Sequence, residues 1–368
     1  ANALVLVLAD GIIFILLTVT GLRKKIFDAI PKAVQVGIPA GIGLFIAFLG
    51  LQNVGLIIPD SSTAVSLASF NIYGGNATWA TVMPMLVTIF AVISIAVMSK
   101  KGVKGAILFG ILGAAVAYYV LGFTIPGFYD GFAASLSTNP FTAFEDFATM
   151  SLGKVFTEGF DFSAFISAHG MGGFIVMFLT TALAFCMVDM FDTLGTLYGA
   201  CARGNLLTKE GKIPNVNRAM MSDAVATTAG AIMGTSTVTT FVECSAGVAE
   251  GGRTGLAAMF SALFFFIAMF LSPVAQLIPN CATAAALIYV GVLMMNCVRD
   301  VDWTAPEIAL PAFFTVAMMP FTYNISFGIA FGIISWIFIS LFTGKSKEVS
   351  PTTWVIGTLF ALTFFLTH

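Results

Sequence analysis

The sequence predicts an all-α polytopic membrane protein, and three observations carry this prediction. The chain of 368 residues is 58% hydrophobic and only 9% charged, with a mean hydropathy of +0.99. Soluble domains carry about a quarter charged residues and could not bury this much apolar surface. The apolar residues are also grouped into spans of about 20, the length that a helix needs to cross a bilayer. The net charge of −2 gives no sign of a nucleic-acid partner.

Turn residues and charges divide the chain into successive apolar spans. A polar segment, 58–78, follows the second span, and a longer segment rich in Phe and acidic residues, 124–169, follows the fourth. The last span, 351–368, either crosses the bilayer or lies at its surface. The spans expected to be helical are 2–22, 34–57, 79–99, 105–123, 171–200, 219–234, 255–277, 280–298, 306–321, 324–343 and 351–368.

Basic residues indicate how the spans are oriented, because cytoplasmic loops carry an excess of Lys and Arg. The segment 58–78 has no basic residue and 124–169 has one, so both are expected outside. This assignment brings the polar stretch 235–255 back to the cytoplasmic side at Arg253. The basic clusters expected in the cytoplasm are 23–25, 100–104, 203–218 and 345–347.

A weak internal repeat is visible in the order of the spans. Ile30-Pro31 opens the second span and Ile278-Pro279 opens the eighth. On this alignment the first four spans match spans seven to ten in the opposite orientation, as in the inverted repeats of secondary transporters. Since the spans from 171 to 255 have no counterpart before residue 1, we expect about three further segments at the N-terminus and two halves of seven.

The stretch 235–255 is the first candidate for a binding site. A β-branched run leads to Glu243 and small residues follow, and such backbone is tolerated at membrane depth only where protein or a cavity satisfies it. Glu243 either accepts hydrogen bonds from the ring N–H groups of a flat heterocycle or caps the following helix. Phe241 either stacks on such a ring or packs in the core, since the chain has 37 Phe.

Acidic residues within apolar spans form the second candidate group, because ionisable groups are costly in a bilayer. Asp189 and Asp192 are spaced i, i+3 and share a helix face. Either one of them couples proton entry to substrate binding, or both are buried acids satisfied by Thr and Ser hydroxyls. Asp223 is expected to make a tertiary hydrogen bond, and Asp10 has no assignment.

Other chemistries find little support in the sequence. Glu250 and Arg253, spaced i, i+3, predict a structural salt bridge, with a gate as the alternative. No GxxxxGK[ST], HExxH or GxSxG motif is present. The five Cys show no CxxC spacing and the two His are far apart. The sequence therefore predicts no enzyme, no cofactor and no metal site.

Four motifs carry a resemblance to a known family. They are FDTLGTLYG at 191–199, TTFVECSAGVAEGGRTG at 239–255, RDVDW at 299–303 and MMPFTYNISFGIAFG at 318–332. The chain closely resembles the AzgA-like adenine/guanine/hypoxanthine permeases, a branch of the nucleobase–cation symporter superfamily. The resemblance implies fourteen segments in two inverted halves, a core and a gate domain, and two short strands that meet at mid-membrane.

The same resemblance implies a function and site residues. It implies proton-coupled purine uptake by alternating access across the cell membrane, by a homodimer. Asp192 matches the essential carboxylate, Glu243 the substrate-binding carboxylate and Phe241 an aromatic position at the site, with Thr240 and Val242 beside it. Asp189 and Thr196 would support proton coupling with Asp192.

The alternative function is a uracil/xanthine-type transporter, or an anion transporter or channel, on the same fold. Two acids and no Lys or Arg at membrane depth argue against an anion.

The resemblance also divides the chain into domains: 1–22 core, 23–123 gate of the first repeat, 124–170 extracytoplasmic loop, 171–277 core of the second repeat, 278–345 gate of the second repeat and 346–368 a C-terminal apolar segment.

Overall fold

The computed structural model describes residues 2–21, 26, 29–130, 141–209, 211–241, 243–271, 275 and 277–367. This part of the chain is predominantly helical. The helices before residue 130 are α1 (Asn2–Val19), α2 (Lys32–Asn53), α3 (Trp79–Lys100) and α4 (Ala106–Gly122). Further helices are α5 (Thr142–Asp146), α6 (Lys154–Thr157), α7 (Ser163–Arg203), α8 (Val216–Met233), α9 (Cys244–Ala249), α10 (Gly255–Phe270), α11 (Asn280–Met294), α12 (Pro306–Phe321), α13 (Ile325–Phe342) and α14 (Pro351–Thr367).

The predicted membrane-spanning character is confirmed by the length and composition of these helices. In the described residues, α1, α2, α3, the helical segment Asn280–Asp300 and α13 are long and apolar enough to cross a bilayer. The helices α4, α10 and α12 are apolar but shorter. The bounds of α12 coincide with the predicted span, and α13 differs from its prediction by one residue at each end.

The second predicted span is too long at its C-terminal end. It was expected to reach residue 57, but α2 ends at Asn53. Gly55 then adopts a left-handed conformation with a φ of 73°, which stops a helix and which glycine tolerates best. A strand begins two residues later, at Ile57.

The polar segment 58–78, which the sequence predicts to be a loop, contains regular structure. Residues Ile57–Asp60 (β1) and Ala64–Leu67 (β2) form an antiparallel hairpin in which Ile57 pairs with Leu67. At the turn, Asp60 Oδ1 accepts hydrogen bonds from the hydroxyl and amide of Ser62 and of Thr63. These bonds, those of Ser62 first, favour the ionised form and lower the pKa of Asp60 to about 2.

The segment 124–169 also contains more structure than expected. The short helices α5 and α6 lie within it, and α7 begins at Ser163 rather than at the predicted 171. Gly170 interrupts α7 with a φ of 72° and a ψ of 166°, values outside the helical region. The predicted start therefore coincides with the second part of a broken helix.

The described residues divide into two compact units. Unit 1 comprises residues 1–42, 146–245 and 294–368. Within it α1 packs closely on α8, since a Cβ on Gly11 would lie 2.5 Å from Thr228 Oγ1 and 2.8 Å from the Thr228 amide nitrogen. A glycine is therefore needed for α1 to approach α8 this closely.

Unit 2 comprises residues 43–145 and 246–293. Thr88 of α3 is 1% exposed, and its hydroxyl lies 3.0 Å from the Cys281 carbonyl oxygen at the start of α11. The indole N–H of Trp79, in the first turn of α3, donates to Thr124 Oγ1 just after α4 at 2.7 Å. These bonds connect elements that are distant in sequence.

Candidate functional site

The residues singled out by the sequence lie mainly on three elements of unit 1. Helix α7 carries Asp189, Asp192 and Thr196 in its second part, and α8 carries Asp223. The third element is the non-helical run 235–241, which follows α8 directly. All three elements belong to unit 1.

The run 235–241 has the predicted form at its C-terminal end but forms no strand. A turn closes with a hydrogen bond from the Cys244 amide to the Phe241 carbonyl oxygen, and α9 begins at Cys244. Glu243 therefore lies at the junction of run and helix, as predicted. Within the described residues this run pairs with no strand, and the Thr227 side chain bonds the Val238 backbone.

Thr227 of α8 provides one of these side-chain bonds. Its hydroxyl donates to the Val238 carbonyl oxygen at 2.8 Å and accepts from the Val238 amide at 3.3 Å. The Thr227 side chain is fully buried. A hydroxyl has one proton and two lone pairs, so it can make both bonds at once.

Thr193 of α7 bonds the next residue of the run. Its hydroxyl donates to Asp223 Oδ2 at 3.0 Å and lies 2.8 Å from Thr239 Oγ1. Since the single proton of Thr193 is used towards Asp223, Thr239 must be the donor of the second bond. The bonds thus run in one direction, from Thr239 through Thr193 to Asp223, and the expected tertiary hydrogen bond of Asp223 is confirmed.

One carboxylate beside the run, that of Asp192, interacts with two others. Asp192 interacts electrostatically with both Asp223 and Glu243. Asp223 is 7% exposed, Asp192 is half-buried and Glu243 is exposed. Phe241 has 65% of its surface exposed, so its ring is free to meet a ligand.

The other predicted site residues are placed as follows. Asp189 and Thr196 are buried, with 3% and 2% of their surfaces exposed, so neither faces open space in unit 1. Thr240 is half-buried. Val242 lies outside the described residues. Asp189 and Asp192 share a helix but not the same exposure, and Asp192 is the one that interacts with Glu243.

The predicted salt bridge between Glu250 and Arg253 is wrong for this structure. Both residues are described and exposed, and they form no ion pair with each other. An i, i+3 spacing brings two side chains together only on a helix, but α9 ends at Ala249 and Gly251 has a φ of 105°. The helical spacing that would bring the two charges together is therefore absent.

A family model described as the permease family matches residues 1–331 of the chain. The chain belongs to this family. The guanine/hypoxanthine permease PbuO of Bacillus subtilis is 36% identical over 376 residues, which cover 100% of this chain and 78% of the relative. The adenine permease AdeQ of Escherichia coli is 33% identical, over 95% of this chain and 71% of the relative. The solved transmembrane domain of a cyanobacterium bicarbonate transporter, BicA, matches with 16% identity and a TM-score of 0.49, over 91% of this chain and 76% of that one.

Membership of the permease family, with the apolar helices, makes this permease a multi-pass protein of the cell membrane. It is a transport protein rather than an enzyme. Among its described residues no cluster of three or more His, Cys, Asp or Glu could hold a metal ion. The resemblance noted in the sequence motifs is confirmed.

Sequence reasoning missed three residues of the candidate site. Thr193, Thr227 and Thr239 were not singled out, although they connect the run to α7 and α8. One signal was available, because Thr227 lies one turn after Asp223 in a helix of small residues. A polar residue at that spacing indicates a shared buried face.

Proposed function

We propose that this permease takes up purine nucleobases in symport with protons, by alternating access. The relatives named as guanine/hypoxanthine and adenine permeases support the substrate class. The observation that carries the proposal is the convergence of Asp192, Asp223 and Glu243 beside a run that ends in an exposed Phe241.

The exposed residues of this group suit a flat heterocycle with ring N–H groups. Glu243 is exposed at the junction and can accept hydrogen bonds from such a ring, and hydrogen bonds to a charged acceptor are the strong ones. Phe241 lies two positions away and can stack on the face of the ring. Thr240 and Val242 would complete this part of the site.

The acidic residues are the groups that we propose to bind the proton. Asp192 interacts electrostatically with two other carboxylates, Asp223 and Glu243. Like charges repel, and a proton on Asp192 would relieve this repulsion. Asp192 is our candidate carrier, because it interacts with both other acids and remains partly accessible. Asp189 and Thr196 would support it from the same helix.

Transport by alternating access requires two bodies that move against each other. The core and gate domains expected from the sequence are our proposal for those bodies. We also propose that the protein has the inverted repeat and forms the homodimer that are expected from the sequence.

Uptake by the purified protein in liposomes tests the proposal. With an inward proton gradient, labelled hypoxanthine, adenine or guanine should accumulate, and collapsing the gradient should stop accumulation. Asp192→Asn should abolish gradient-driven accumulation, because it removes the ionisable group. Glu243→Gln should reduce uptake by about tenfold or more, since a hydrogen bond to a charged group contributes about 1.5–3 kcal/mol. Glu250→Gln, an exposed acid in the same stretch, should leave uptake unchanged.

Competing solutes decide between the proposal and its alternatives. Unlabelled adenine, guanine and hypoxanthine should block uptake, whereas uracil, xanthine and bicarbonate should not. Preferential competition by uracil or xanthine, or by the anion, would overturn the assigned substrate class. Accumulation driven by a sodium gradient alone would contradict the proposed coupling of uptake to protons.

A further inference from the structure

The backbone of the run 235–241 has few hydrogen bonds of its own. At its start, the Thr235 amide donates to the Gly230 carbonyl oxygen at 2.9 Å. Among the backbone amides from Ser236 to Phe241, only that of Val238 donates a hydrogen bond within the described part of the chain. An extended segment with so few bonds needs another restraint to hold one position.

The run also packs closely on α8 next to this bond. A Cβ on Gly230 would lie 2.6 Å from Val238 Cγ2 and 2.9 Å from Thr235 Oγ1. Gly230 is one turn after Thr227, so the missing side chain and the hydroxyl lie along the same side of α8. Val238 is therefore held both by hydrogen bonds and by close packing.

We propose that Thr227 and Thr193 are positioning residues that fix the run, and with it Phe241 and Glu243, to α8 and α7. Thr227 replaces the strand neighbour that the Val238 backbone lacks, and Thr193 secures Thr239 next to it. Phe241 follows two positions later. The run and the two helices consequently move as one body, and the substrate groups keep their geometry during that movement.

Hydrogen exchange on the full-length protein in detergent or nanodiscs tests the attachment without any substrate. In the wild type, the Val238 amide should exchange more slowly than the amides of Thr237, Thr239 and Thr240, after correction for intrinsic rates. Thr227→Ala should remove this protection. Thr227→Ser, which keeps the hydroxyl, should retain it.

The neighbouring threonine provides a matched control. Thr228 donates its hydroxyl to the Ala224 carbonyl oxygen within α8 at 2.9 Å and makes no bond to the run. Thr228→Ala removes the same atoms one position away and should leave the exchange of Val238 unchanged. Val238 exchanging in the wild type as fast as its neighbours, or keeping its protection in Thr227→Ala, would overturn the proposal.

The uptake readout rests on the proposed function, and the exchange readout does not. Thr227→Ala should raise the KM for the purine by about tenfold while changing the maximal rate much less, because the groups that meet the substrate lose their fixed position. Thr227→Ser should restore the KM. A wild type that takes up no purine would refute the proposed function alone, while a Thr227→Ala variant with wild-type KM would refute the positioning role.

Discussion

The hairpin 57–67 and the run 235–241 are both non-helical segments between helices, but their backbones are held in different ways. In the hairpin the strands bond each other, with Ile57 opposite Leu67 and Asp60 opposite Ala64. In the run, the backbone of Val238 is bonded by the side chain of Thr227.

The difference lies in where each segment finds its partner. The hairpin carries its partner in the next strand, so its conformation is set locally. The run depends on Thr227, 11 residues away from Val238, and on Thr193, 46 residues away from Thr239. Changes in α7 or α8 should therefore reach the run, whereas the hairpin should be insensitive to them.

The largest effect is expected from a change that pushes α8 aside. Gly11→Ala places a Cβ within 2.8 Å of the Thr228 amide nitrogen, and this backbone can yield only if α1 and α8 separate. Overpacking of this kind costs about 1–3 kcal/mol. Thermal unfolding should show a lower midpoint, and Val238 should exchange faster while the hairpin amides do not change.

Gly113 of α4 supplies the control for this change. A Cβ at Gly113 would meet nothing within 4 Å, so Gly113→Ala should be neutral or stabilising. Equal unfolding midpoints for the two variants would show that α1 does not constrain α8.

A buried threonine that bonds two helices should have a smaller effect. Thr88→Val removes the hydroxyl whose proton is shared between the Cys281 and Pro84 carbonyl oxygens, and such a bond contributes about 1 kcal/mol. The unfolding midpoint should fall, but exchange in the run 235–241 should not change. Faster exchange of Val238 in this variant would mean that the run responds to general loss of stability rather than to Thr227.

Acid should loosen the hairpin without a mutation. The pKa of Asp60 is lowered from 3.8 to about 2 in the folded chain by its hydrogen bonds to Ser62 and Thr63. The ionised form therefore stabilises the turn fully above about pH 4, and this contribution is lost as the pH falls through about 2. Protection of the hairpin amides should persist from pH 7 to 4 and then decline.

Asp60→Asn separates this effect from general acid unfolding. The variant cannot ionise, so its hairpin should already be less protected at neutral pH and should change less on acidification. A wild-type hairpin with the same protection at pH 4 and pH 2 would contradict the assignment.

The smallest effect is expected in α9, just after the run. Ser245 is 2% exposed and its hydroxyl has no hydrogen-bond partner among the described residues. Ser245→Ala should therefore change the free energy of unfolding by no more than about 0.5 kcal/mol. A larger loss of stability would reveal a bond to Ser245 that the run needs.

Much of the helical framework could be predicted because its ends have strong local signals. Pro306 begins α12, and Asn324 precedes α13 and accepts a hydrogen bond from the Ser326 amide. A proline in the first turn and an asparagine before a helix are typical start signals, so these bounds are close to the predicted ones.

The hairpin and the attachment of the run could not be predicted in the same way. The polar residues around Asp60 resemble those of any loop, and pairing of β1 with β2 depends on the turn geometry. Thr227 and Thr193 face the run only because α7 and α8 place them there, and the sequence separation hides that arrangement. The position of Glu243 directly before a helix depends on neighbouring residues in the sequence, so its prediction was correct.

The hydrogen bond of Trp79 gives unit 2 an optical probe. Of the four tryptophans in the chain, Trp79 alone belongs to unit 2, and Trp303, Trp336 and Trp354 belong to unit 1. Replacing those three with phenylalanine leaves the indole that donates to Thr124 as the sole emitter. Its fluorescence would then follow the environment of α3 and α4 alone, during unfolding or during a transport cycle.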